Sequence, residues 1–118
     1  MTSPGIFIRG RLAVYKLGFY VPEAQLEQVK QACFDAGAGR IGHYDQCCWQ
    51  TLGQGQFRPL AGSQPALGVT GTLHTVPEYR VEMVCDDALA DAVVAAMLAA
   101  HPYEEPAWDL VALVGSAR

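Results

Sequence analysis

Apolar and polar positions alternate from Leu12 to Val21, with Ala13, Tyr15, Leu17, Phe19 and Val21 on one side, and this period of two predicts a strand. Pro22 follows with a φ already suited to a first helical turn. Across residues 23–37 the apolar Leu26, Val29, Cys33 and Ala36 recur at i, i+3, i+7 and i+10, the spacing of a helix with one buried face. Gly37 and Gly39 supply the left-handed geometry that ends it. Residues 41–52, with their aromatic, Thr and Cys side chains, predict a second strand in which His43, Asp45, Cys47 and Trp49 share a side. The period then breaks, because residues 53–71 hold five glycines and two prolines. The expectation there is a long loop over 53–76 containing extra strand pieces, near Phe57 and over 69–75. Structureless loops of that length are uncommon unless they serve something.

Alternation returns over residues 78–85, where Tyr79, Val81, Met83 and Cys85 oppose Arg80, Glu82 and Val84. Asp86 or Asp87 is placed to cap a helix over residues 88–100, whose Leu89, Val93, Ala96, Met97 and Ala100 line one side. Pro102 disfavours helical geometry at His101 and stops it. A last strand over residues 107–114 sets Trp108, Leu110, Ala112 and Val114 on one face. The order βαββαβ predicts an α+β, ferredoxin-like sandwich: one antiparallel sheet with both helices on the same face. The other face then needs a cover, from the Gly/Pro-rich loop, the extra strand pieces or a second copy of the chain. The apolar back of the last strand favours a partner, so a homo-oligomer is expected.

A chain of 118 residues with 51% apolar side chains fits one domain with a core of its own. Its net charge of −4 and lack of a basic run argue against nucleic-acid and membrane-surface partners. No stretch is long and apolar enough to span a bilayer, and the first residues, broken by Arg9, Arg11 and Lys16, do not read as a signal peptide. The four cysteines (Cys33, Cys47, Cys48 and Cys85) form no Cys-x-x-Cys pair, so reduced thiols in a cytoplasmic protein are expected rather than a zinc finger.

Chemistry concentrates in HPYEEPAWDL, residues 101–110. His101, Glu104 and Glu105 offer nitrogen and oxygen donors within five residues, a mixture that suits Zn or Mn, and a turn can converge them. The competing reading is a stiff corner between two prolines, with solvated glutamates. His43 and His74 stand alone on strand-like segments. GQG at residues 53–55 lacks the residues that complete a phosphate loop, although Arg58 is positioned to clamp an anion.

Four ordered segments, GAGRIGHYDQCCWQT (37–51), GQGQFRPLAGSQPALG (53–68), EYRVEMVC (78–85) and HPYEEPAWDL (101–110), resemble the YqfO family, the small domain related to the insert of NIF-three-like (NGG-one-interacting-factor-three-like) proteins. The resemblance covers residues 13–114, a single domain expected over 13–118, and leaves residues 1–12 as an extension outside it. It implies a fold like that of the PII signalling and CutA divalent-ion-tolerance proteins, commonly trimeric; a dimer is the other expected state. NIF-three-like proteins hold a metal pair in two further domains, and none of those ligands maps onto a residue of this chain. The expected function is a regulatory or accessory module that binds a divalent metal at His101, Glu104 and Glu105, or a small anionic ligand with Tyr44, Cys47, Arg58, Glu82 and Tyr103. The alternatives are a metal-dependent hydrolase, needing His43, His74 or a cysteine to join that corner, and a purely structural oligomerisation domain. A binding role is expected ahead of an enzymatic one.

Overall fold

A computed structural model describes residues 14–114. The expected extension at residues 1–12 lies outside the described residues. Strand β1 (Val14–Val21) leads through a 3-10 turn (Glu23–Gln25) into helix α1 (Leu26–Asp35). Strands β2 (Trp49–Phe57) and β3 (His74–Asp86), helix α2 (Asp87–Ala100) and strand β4 (Trp108–Leu113) follow. The sheet order is β2-β3-β1-β4 and every neighbouring pair is antiparallel. This is the βαββαβ sandwich that the periodicity predicts. No described helix is long and apolar enough to cross a membrane.

The strand period sorts the side chains as expected. Leu17, Phe19 and Val21 from β1 and Val81, Met83 and Cys85 from β3 face the helices and are buried. They meet Leu26, Val29 and Cys33 of α1 and Ala90, Val93 and Met97 of α2. Each such apolar side chain contributes about 1.5–3 kcal/mol on burial, and this layer is the source of the fold's stability. Pro22 occupies the extended position before the 3-10 turn, and Asp86 the corresponding position before α2, without a side-chain capping bond. Gly39 needs its glycine. At φ 80° a Cβ would stand 2.9 Å from the Cys47 carbonyl, and the backbone there bonds both to Val84 (2.7 Å) and to Cys47 (2.8 Å).

Two elements differ from the expectation. The second strand is Trp49–Phe57, so residues 41–48 form a turn, with Ile41 bridged to Tyr44, and His43, Asp45, Cys47 and Trp49 do not share a strand face. The third strand starts at His74 and runs through Pro77. Residues 74–78 lie beyond Tyr79, the last partner of β1, and pair only with β2; a strand with one free edge accommodates a proline. β2 and the start of β3 therefore make a hairpin arm, and the Gly/Pro-rich segment is its tip, residues 58–73.

The face of the sheet away from the helices carries charge rather than a second core. Register puts Lys16, Gly18 and Tyr20 of β1 beside Arg80 and Glu82 of β3 and Asp109 of β4. Arg80 bonds Asp109 (2.9 Å) and Glu82 (3.4 Å), lies 5.0 Å from the centre of the Tyr20 ring, and occupies the space that a Cβ on Gly18 would take. Lys16 pairs with Glu82 at 3.7 Å.

Candidate functional site

The corner that ends α2 is organised by His101. The ring is only 7% exposed, the sole polar or charged side chain among the buried residues described. Its Nε2–H donates to the Tyr20 carbonyl (2.6 Å), while Nδ1 accepts from the Tyr103 backbone N–H (3.1 Å). This pair of bonds fixes the neutral tautomer with its proton on Nε2. Burial holds the His101 pKa below the ordinary histidine value, opposed by the Tyr20 carbonyl and by the charge of Glu78.

His101 thus fastens the corner to the end of β1 and aims Tyr103 across the sheet, the two rings lying 4.9 Å apart. The Tyr103 hydroxyl donates to Glu78 Oε2 (3.1 Å). Burial pushes the phenol pKa up to about 12, helped by the negative charge and hydrogen bond of Glu78. The Glu78 carboxylate lies over Gly55, in the space a Cβ there would fill. That explains GQG: Gly53 and Gly55 face the same side as Glu78, and Gly55 is the floor on which the carboxylate lies.

Around this Tyr103–Glu78 pair the corner and the arm enclose a cleft of about 290 Å³. Tyr20, Phe57 and Glu78 come from the sheet, Arg58, Pro59, Pro65 and Leu67 from the tip of the arm, and Tyr103, Glu104 and Glu105 from the corner. Glu104 closes one wall by accepting the Gln64 backbone N–H at 3.0 Å, a contact spanning 40 residues of sequence. The tip is braced internally: the Val69 N–H donates to His74 Nε2 (2.7 Å), and the His74 ring packs against Phe57 at 5.6 Å. His74 is a hairpin residue and stands away from the corner's own bonds.

Arg58, Tyr103, Glu104 and Glu105, singled out from sequence, meet in this cleft. Cys47 and Glu82 line a different one, of about 240 Å³, with Lys16, Cys48 and Trp49. Tyr44, 75% exposed, lines neither. Sequence reasoning missed Tyr20 and Glu78. Both lie on the non-helix side of their strands where β1 runs out, and the polar half of the alternation was the available signal.

The geometry bears on how a metal could sit at this corner. His101 has both ring nitrogens committed to backbone partners, so it cannot join Glu104 and Glu105 as a ligand without releasing the corner. Among the described residues no three His, Cys, Asp or Glu side chains converge to hold a metal ion. The cysteines are free thiols, as expected. Burial, with Cys85 beside it, raises the Cys33 pKa to about 12.

No protein-family model matches the chain. It is 48% identical over 107 residues to a Mycobacterium bovis protein named GTP cyclohydrolase 1 type 2 homolog, across 91% of this chain and 28% of that one. A solved Bacillus cereus protein related to NIF3 superposes with a TM-score of 0.75 at 38% identity, over 86% of this chain and 26% of the other. CutA from Synechococcus elongatus superposes with a TM-score of 0.64 at 19% identity, over 92% and 87% of the two chains, a likeness of fold. The chain is similar to a part of NIF3-related proteins and has a CutA-like fold, and it spans 28% of the curated relative's length.

Proposed function

We propose that this chain is a ligand-binding accessory module, holding a small molecule in the cleft between the 101–107 corner and the tip of the β2–β3 arm. One observation carries the reading. Two segments about 40 residues apart in sequence are locked together by the Glu104–Gln64 bond and bracket a cavity with a hydrogen-bonded Tyr103–Glu78 pair at its base. A chain that needed only a stiff turn has no use for that enclosure, and ligand sites favour concave surfaces with a few converging polar groups among apolar walls. The volume sits at the lower end of ordinary ligand pockets, which start near about 300 Å³. The relatives are longer, so the module's service to a larger assembly belongs to this proposal, as does self-association through the sheet face that exposes Trp49 and Val111.

The test is a fragment screen by amide NMR on the whole chain. Expected are compounds that shift the amides of Tyr20, Gln64 and Tyr103 together, with Tyr103→Phe weakening them while the fold persists. Hits confined to the Lys16–Cys47 cleft, or to no cavity, would refute the assignment.

A further inference from the structure

We infer that the occupant of this cleft is an organic cation, a protonated amine or guanidinium on a compact apolar body. The inference rests on the ligand-binding reading above and adds the chemical class. The walls supply the first half of the argument. Pro59, Pro65, Leu67 and Phe57 present apolar surface, and Tyr20 and Tyr103 add ring faces and edges, so a fully hydrated ion gains little there while a molecule with an apolar portion does.

The sign of the charge comes from the polar lining. Glu78, Glu104 and Glu105 stand against one cation, Arg58. Arg58 makes no ion pair with any of them among the described residues, whereas Arg80, on the neighbouring part of the sheet, is already matched by Asp109 and Glu82. Glu78 holds one hydrogen bond, from Tyr103, and Glu104 one, from the Gln64 N–H, so each keeps acceptor capacity toward the cavity. The anionic ligand expected at Arg58 and Tyr103 would have to approach three carboxylates in this cleft. A cation is attracted by all three, and Arg58 at the root of the arm tip is left to bound the opening.

Three probes of one shape and different charge separate the possibilities: phenethylammonium, 2-phenylethanol and 3-phenylpropionate, titrated into the 15N-labelled chain at low salt. The cation is expected to shift the Gln64 and Tyr103 amides and to bind about tenfold tighter than the neutral probe, as one charge-assisted hydrogen bond would give. The anion is expected to bind weakest. Glu105→Gln, an exposed substitution away from the His101 fastening, should reduce the cation's advantage without lowering the urea midpoint. If the three probes bind the cleft equally, or the anion binds best, the cation assignment falls and the site stands. If none shifts cleft amides, while agmatine and choline also fail, both the class and the site fall.

Discussion

Replacing His101 by alanine tests how the corner is held. The change removes two hydrogen bonds, to the Tyr20 carbonyl and from the Tyr103 N–H, each worth about 1 kcal/mol net. It also removes a ring that is 7% exposed, whose burial contributes on the order of 2 kcal/mol. The expected loss is about 3–4 kcal/mol, a large share of the roughly 5–15 kcal/mol available to a domain. Urea unfolding at pH 7.5 should show it as a midpoint lowered by about 2 M, for a slope near 1.5 kcal/mol per M.

The loss should also depend on pH. Folding lowers the His101 pKa, so between the unfolded value near 6.5 and the lower folded value the unfolded chain binds more protons. The histidine's contribution is complete above pH 6.5 and declines as pH falls toward the folded pKa, because the imidazolium loses its acceptor for the Tyr103 N–H. The gap between wild type and His101→Ala should therefore narrow from pH 7.5 to pH 5. A gap below about 1 kcal/mol, or one that widens in acid, would refute the fastening role.

The sharp difference in thiol burial predicts selective alkylation: Cys47 and Cys48 should react with iodoacetamide in the native state. Cys33, whose thiol pKa burial pushes up to about 12, should carry far less thiolate at pH 8 and stay unmodified by mass spectrometry. Gly39→Ala should cost about 2–3 kcal/mol in urea unfolding, since a Cβ at φ 80° meets the Cys47 carbonyl, a backbone atom that cannot swing aside. Mn(II) at ~1 mM should leave the His101 ring resonances sharp, because both ring nitrogens are engaged by backbone partners; selective broadening at His101 would show that the ring is released to a metal.

What could be read from the sequence followed burial. β1 and the core half of β3 alternate cleanly, and α1 keeps its helical spacing, because one side of each is held against the apolar layer; β4, with Trp108 and the adjoining Val114 exposed, and Leu89 of α2, exposed where Ala90 is buried, depart from the predicted faces. β2 escaped because it lies on the exposed arm. Only Gln50, Gly55 and Phe57 in it are even half-buried, and no period is imposed on Leu52 or Gln54. Its glycines looked like loop punctuation, yet Gly55 is small to admit Glu78, a requirement set by a strand 23 residues away. The corner 101–105 was recognised as polar and proline-fixed, and the arm does close on it. The fastening by His101 is not legible in the sequence because the partner of its Nε2 is the carbonyl of Tyr20, and backbone acceptors leave no trace in the residue code.

The register of the outer strand pair has a further consequence. Val14 at the start of β1 faces Leu113 at the end of β4, so the chain enters and leaves the fold through one doorway, with antiparallel neighbours about 5 Å apart. Such a unit can be spliced into a surface turn of a host protein without prising the host's strands apart, or have those two points joined by a short bridge and be reopened elsewhere.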